Sequence, residues 1–188
     1  MNNKLRMFGV AVLILTLITA AILGLLISPA NPVTWLLLAS LLVLPLLHRR
    51  LKSHQHLKWK SEYSVGIASI DIQHRKLIEL INSLQTAVDY STGEEFERKA
   101  LDELVDYTKT HFKYEEGLME QNDYPDFEPH RDSHAHMIAK VDQVVEAYRQ
   151  DQEGAIQQAL DFLKDWLINH INGTDKQYSR YLIDKGVK

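Results

Sequence analysis

The chain has 188 residues, a formal net charge of −4 with its 9 histidines neutral, and no cysteine. The missing thiols exclude disulfides, zinc-thiolate sites, iron–sulfur clusters and cysteine nucleophiles. The acidic balance leaves no basic stripe to neutralise phosphates, which argues against a nucleic-acid partner.

Met7 to Ile27 is an unbroken run without a charged side chain. At about 1.5 Å per residue it is long enough to cross the roughly 30 Å core of a bilayer. Ser28-Pro29-Ala30-Asn31-Pro32 is a turn by composition. Val33 to Leu47 is a second apolar run, with Pro45 near its end. Counted from Ala30, it is just long enough to span if the bilayer thins. Trp35 falls where an interfacial aromatic belongs.

Lys4 and Arg6 precede the first run, and His48, Arg49, Arg50, Lys52, Lys58 and Lys60 follow the second. The turn between them is uncharged. The positive-inside rule then places both ends in the cytoplasm, with a tiny external loop. A cleaved signal peptide is the rival reading, with Lys4 and Arg6 as its basic end. The length of the first run and the second run behind it weigh against cleavage. Neither run holds an ionisable residue, so no ion path is expected. Residues 1–50 are thus read as a two-span anchor (about 7–27 and 30–47), 51–60 as a basic juxtamembrane linker on anionic headgroups, and 61–188 as the functional domain. His54 and His56 are two residues apart, point to different faces, and are read as solvated.

From residue 70 the periodicity is helical. Asp71 is the expected cap of a first helix carrying Ile70, Leu77, Ile78, Leu80, Ile81, Leu84 and Val88, which Ser91-Thr92-Gly93 ends. A second runs from about Glu94 to Gln121, with Phe96, Leu101, Leu104, Val105, Thr108, Phe112 and Met119 on its apolar stripe. Asn122-Asp123-Tyr124-Pro125 breaks it. A third covers about Pro129 to Gln150, with proline in the first turn. After a polar break at Asp151 to Gly154, a fourth runs from about Ala155 to Asn172 with Ile156, Leu160, Leu163, Leu167 and Ile171. No stretch alternates as a strand would. The expected fold is all-α, an up-down-up-down four-helix bundle preceded by a transmembrane helical hairpin.

The histidines and carboxylates decide what the bundle does. His111 with Glu115, and His130 with His134, sit at i, i+4, one turn apart on one helix face. A single such pair is most simply two exposed polar residues. Two pairs flanking one tight turn converge on one interior. His74 on the first helix and His170 and Asp175 on the fourth bring every helix into the set. Five imidazoles and two carboxylates buried without partners would cost several kcal/mol each, and a metal centre removes that cost. Seven ligands are too many for one tetrahedral zinc. Imidazole with carboxylate suits zinc, copper, iron or nickel, and two metals bridged by the carboxylates use the set well. Five histidines divide three and two, leaving one metal with an open position. His170 and Asp175 are five apart, about 140° on a regular helix. A local widening around Gly173 is expected to swing Asp175 back to the centre.

These residues resemble the hemerythrin family, specifically bacterial hemerythrins. The resemblance rests on Trp59, Tyr63-Ser64-Val65-Gly66-Ile67, Ile70-Asp71-Ile72-Gln73-His74, His111-Phe112-x-x-Glu115-Glu116, His130-x-x-x-His134, and Trp166-Leu167-x-x-His170-Ile171 followed by Asp175. It covers about residues 57 to 185. It implies a non-haem di-iron centre bridged by Glu115, Asp175 and an oxo or hydroxo group. His74 and His111 would hold the iron with the open position, and His130, His134 and His170 the other. The family binds O2 reversibly. The irons supply two electrons and the bridge one proton, so the buried site keeps a net charge of about +1 in both states.

By position, Leu118, Trp166, Leu167 and Ile171 are candidate walls of an O2 pocket, and ordinary core is the alternative reading. Phe112 and Met119 are read as core only. His48, His54, His56 and His136 are read as non-ligands. The function expected is oxygen storage, delivery or transport at the cytoplasmic face of a membrane, with a membrane oxidase or oxygenase as consumer. An O2 or redox sensor is the alternative, weakened by the expectation that no output domain follows the bundle. A di-iron enzyme acting on NO or peroxide is a second alternative. Its proton donor would have to be a residue such as Tyr114 or Tyr178.

Overall fold

The structure is a computed structural model that describes residues 3–53, 56–90, 93–150 and 154–188. His54, the break at Ser91-Thr92 and residues 151–153 lie outside the described residues. So do the side chains of Lys4, Arg6, Pro45, His48, Arg49, Arg50 and Lys52. The chain divides into two compact units, Met1–Gln55 and His56–Lys188.

The first unit is a helical hairpin. Helix α1 spans Asn3–Ile27 and α2 spans Pro32–Ser53. Pro32 opens α2 where its missing N–H costs nothing, and Asn31 Oδ1 accepts the Val33 N–H at 2.9 Å as a cap. The Trp35 indole donates to the Pro29 carbonyl at 2.9 Å, closing the turn. Thr34 is buried against Gly24, where an added Cβ would lie 2.5 Å from Thr34 Oγ1. Only glycine lets the two helices approach there. Outside that contact most of the large apolar side chains are exposed, Leu15, Leu26 and Leu36 among them. Among the described residues one stretch, Phe8–Ile27, is long and apolar enough to cross a membrane, while the apolar part of α2, Pro32–Leu44, is shorter.

In the second unit a 3-10 turn at Ser61–Tyr63 leads into α3 (Ala68–Asp89), α4 (Glu94–Gln121), α5 (Phe127–Arg149) and α6 (Ala155–His170). Helix α3 packs on α4 and α6, and α5 packs on the same two, which makes a four-helix bundle. Leu77, Ile78, Leu80, Ile81, Leu84, Leu101, Leu104, Leu160 and Leu163 fill its core. Phe96 departs from the apolar stripe read for the second helix. It lies in the first turn of α4 and is 63% exposed. Asp71 is not the cap of α3, whose N-cap is Ile67. The carboxylate sits in the first turn and reaches back, accepting the Val65 N–H at 2.9 Å and the Ser64 hydroxyl at 2.5 Å. It therefore fastens the incoming chain to the helix.

The stop of α4 fixes where its ligand turn meets α5. Asp123 adopts a left-handed φ of 53°, which Asp tolerates better than most residues. The Tyr124 N–H then bonds back to the Met119 carbonyl and the Asp123 N–H to Glu120, the double closure of a Schellman ending. Helix α5 begins at Phe127, two residues ahead of the expected Pro129. The fourth helix does not end at Asn172. It passes through a π turn, Ile171–Asp175, into α7 (Lys176–Asp184), a helix not among those expected from the sequence. Tyr181 of α7 and Lys185, which caps it, donate to the Asp123 and Asn122 carbonyls, tying this helix over the α4–α5 turn.

Candidate metal centre

The structure brings all seven candidate ligands to one place, each buried. Helix α3 contributes His74; α4 contributes His111 and Glu115; α5 contributes His130 and His134; α6 contributes His170. The π turn supplies Asp175. An i→i+5 turn stacks residues five apart on one face, and His170 Nε2 lies 3.0 Å from Asp175 Oδ1. The expected widening around Gly173 takes this form. An added Cβ on Gly173 would meet nothing within 4 Å, so packing does not demand glycine there.

The geometry separates the histidines into two groups and sets both carboxylates between them. Glu115 Oε1 is 3.4 Å from His111 Nε2 and 3.6 Å from His74 Nε2. Its Oε2 is 3.4 Å from His134 Nε2 and 4.0 Å from His130 Nε2. Asp175 Oδ2 is 3.3 Å from His74 Nε2, whereas its Oδ1 faces His170 and, at 3.7 Å, His130. On the three-histidine side, His134 Nε2 is 3.1 Å from both His130 Nε2 and His170 Nε2. Neighbouring ligand atoms on an octahedral ion with bonds of about 2.1 Å sit about 3.0 Å apart. The spacing thus suits two cations sharing two carboxylate bridges.

Hydrogen bonding fixes which ring nitrogens face inward. His111 Nδ1 is 2.9 Å from Gln73 Oε1, and His134 Nδ1 is 2.9 Å from Glu116 Oε1. Both oxygens are acceptors, so each Nδ1 carries its proton and each Nε2 presents a lone pair to the centre. The Phe112 ring stacks on His134 at 3.7 Å and 3°, and Trp166 on His170 at 4.2 Å and 16°. Phe112 is therefore more than core, and packing holds both imidazole planes.

Orphaned polar atoms mark where cations would sit. His74 Nδ1 and Nε2, Glu115 Oε2, His130 Nδ1 and both Asp175 oxygens are buried without a hydrogen-bond partner. Each such atom costs about 1–3 kcal/mol. Four of them, His74 Nε2, Glu115 Oε2 and the Asp175 pair, face the centre, where a cation would satisfy them together. Protonation states agree. Burial holds His111 and His130 down to about 4, so both are neutral ligands at pH 7. Burial also pushes the Glu115 and Asp175 carboxyls up, but the facing imidazoles outweigh it and keep both below the ordinary range. For His74 burial again lowers the value, and the two carboxylates overcome it, raising it to about 9. His74 Nε2 makes no aligned hydrogen bond, so that attraction is ionic. His74, held protonated, thus faces both carboxylates in the metal-free site.

Tyr178 on α7 is fully buried and donates its hydroxyl to Glu115 Oε1 at 2.5 Å. Burial and the two carboxylates hold its phenol well above 10, so the proton stays on oxygen. Tyr114 instead donates to Ser69 and is 40% exposed. Of the candidate pocket walls, Leu167 and Ile171 are buried, and Trp166 and Leu118 are half-buried. His136 is exposed, and His56 sits 3.4 Å from Thr86 Oγ1, away from the centre. The sequence reading used Gln73 and Glu116 only in the family resemblance and took Phe112 as core only, although each is the chain neighbour of a ligand.

A helical bundle with a buried histidine–carboxylate cluster of this kind defines a class of cation-binding proteins. The Hemerythrin HHE cation binding domain matches residues 65–182. A bacteriohemerythrin of Stenotrophomonas maltophilia (strain R551-3) is 37% identical over 126 residues, covering 65% of this chain and 79% of that protein. One from Methylococcus capsulatus (strain ATCC 33009 / NCIMB 11132 / Bath) is 31% identical over 119 residues, covering 63% and 89%. A crystal structure of wild-type hemerythrin aligns with a TM-score of 0.61 at 31% identity, covering 67% of this chain and 97% of that one. The chain belongs to the hemerythrin family.

Proposed function

We propose that the second unit holds two iron ions and binds O2 reversibly. His74 and His111 would hold one iron, and His130, His134 and His170 the other. Glu115 and Asp175 would bridge them, with an oxo or hydroxo group between. The observation that carries this reading is the division of labour within each carboxylate, one oxygen to each histidine group. Iron bound there supplies the electrons for reversible O2 binding. The chain supplies the rest. Gln73 and Glu116 orient His111 and His134, Phe112 and Trp166 fix ring planes, and Leu167 and Ile171 give apolar walls that exclude water.

We further propose that α1 and α2 anchor the protein in a bacterial inner membrane with the di-iron domain in the cytoplasm. An exposed surface so rich in leucine and isoleucine favours lipid contact, and the basic residues from Arg49 to Lys60, at the end of α2 and beyond it, favour the inside. Oxygen storage, delivery or transport beside a membrane oxidase or oxygenase follows, because tethering raises the local concentration at the consumer. A sensor role gains support from one contact. Asn82 on α3 exchanges two hydrogen bonds of 2.8 Å with the Leu57 backbone. The linker is thus strapped to the helix that carries His74, and a shift of α3 would move it.

The test is to load the full-length protein with Fe²⁺ without air, admit O2 and follow the visible spectrum. A coloured adduct that bleaches under vacuum is expected. Protein that takes up no iron would overturn the reading. Rapid conversion to a stable ferric form, or turnover of NO or peroxide, would replace carriage with the enzyme alternative.

A further inference from the structure

The two halves of the centre differ in histidine count, and the surroundings of Glu115 add a second difference. Its two oxygens do not share the same neighbours. Oε1 faces His74 and His111 and also accepts the Tyr178 hydroxyl at 2.5 Å. Oε2 faces His134 and His130 and has no hydrogen-bond donor. A donor on one carboxylate oxygen draws electron density to it and occupies one of its lone pairs. The density left for a cation is then smaller at Oε1 than at Oε2. Tyr178 reaches this position because the π turn carries Asp175 inward and α7 follows it over the end of the bundle. Its ring is fixed from two sides, edge-on against His130 with centroids 5.1 Å apart and against Tyr124 at 6.3 Å.

The partners of the histidines bias the centre in the same direction. On the three-histidine side, the partner of His134 is the carboxylate of Glu116, which strengthens the imidazole as a donor. On the two-histidine side, the partner of His111 is the neutral amide of Gln73.

We infer that Tyr178 is a positioning residue that keeps Glu115 weighted toward His130, His134 and His170, so that this half takes up metal first and the His74–His111 half second and more weakly. The inference rests on the two-metal reading above. It assigns the order of loading, and the labile position, to a side chain that ligates neither metal.

The test uses the full-length protein in detergent, stripped of metal and titrated with Co²⁺, whose visible bands report each step. The wild-type protein is expected to bind in two resolved steps. Tyr178→Phe removes the hydroxyl and keeps the ring. It is expected to tighten the second step about threefold to tenfold and leave the first within about twofold. Replacing Tyr178 with 3-fluorotyrosine strengthens the donor and is expected to weaken the second step, the opposite direction in a protein with an unaltered fold. If Tyr178 merely holds Glu115 in place, Tyr178→Phe weakens both steps alike, and the proposal fails. It fails also if neither substitution moves the second step. Absence of any Co²⁺ binding to the wild-type protein would instead overturn the two-metal reading itself, and this proposal with it.

Discussion

Glu116 accepts the Nδ1 proton of His134 at 2.9 Å, and this contact turns a solvent-touching carboxylate into part of a buried site. The side chain is 26% exposed, while its partner is 2% exposed. Glu116→Gln keeps an acceptor at nearly the same place and removes the charge. Metal affinity in the three-histidine half is expected to fall about 10–100-fold, with little change in the other half and unchanged helicity. A competitive chelator titration of the full-length variant reads both numbers. Equal losses in the two halves would show that Glu116 acts on the fold instead.

His74 contributes one of two histidines to its half; neither ring nitrogen makes a hydrogen bond, and Nε2 faces both carboxylates. His74→Ala removes that ligand and leaves the apolar core of Leu77, Ile81, Leu104 and Leu160 untouched, so the bundle is expected to stay helical. Iron content should fall by about half, and the O2-dependent visible band should disappear. Metal analysis and anaerobic spectroscopy check this. An undiminished O2 adduct would refute the assignment of His74.

The metal-free protein is expected to be most stable near neutral pH. His74 is raised from 6.5 to about 9. Its contribution is complete below about pH 6.5 and is lost as pH rises toward 9. His111 and His130, lowered to about 4, work the other way. As pH falls from about 6.5 toward 4 the unfolded chain takes protons that the folded one refuses, which costs about 1.4 kcal/mol per unit for each group. Glu115 and Asp175, held low, add stability above the ordinary carboxylate range and lose it in acid. Urea midpoints across about pH 5 to 9 should therefore trace a maximum. Loading the His74 half must expel its proton, so affinity there should rise up to about tenfold per pH unit as pH climbs toward 9. A pH-independent isotherm for that half would count against a protonated His74.

The ligand set was legible because helical spacing is rigid. His111 with Glu115 and His130 with His134 share faces by pitch alone, and the turn at Asn122–Tyr124 opposes them. The gap between His170 and Asp175 was legible as a conflict, since five residues on a regular helix point them apart. The π turn resolves it. Three things were not legible. Helix α7 has polar composition, and its buried residues Tyr178, Ser179 and Leu182 answer to packing against the bundle end. Phe112 reads as core by periodicity, which cannot show that its ring lies flat on an imidazole. Phe96 fits the apolar stripe in register, yet it sits in the first turn of α4 and is exposed.

The number of membrane crossings rests on lengths. The run Phe8–Ile27 has 20 residues, about 30 Å of helix, enough for a bilayer core. The apolar part of α2, Pro32–Leu44, reaches only about 20 Å. It can cross if the bilayer thins or basic flanks snorkel, each at fractions of a kcal/mol per Å. The absence of native cysteine makes the alternatives easy to separate. With two crossings, a cysteine placed at Ala30 should react with a membrane-impermeant maleimide in intact spheroplasts. One placed at the exposed His136 should react only after lysis. With a single crossing and the N-terminus inside, both positions would be labelled without lysis, which would put the di-iron domain on the opposite side of the membrane from the one proposed. Leu15→Arg, at the middle of α1, costs about 2.5–3.5 kcal/mol of insertion in either case. It should shift protein from the carbonate-washed membrane to the soluble fraction.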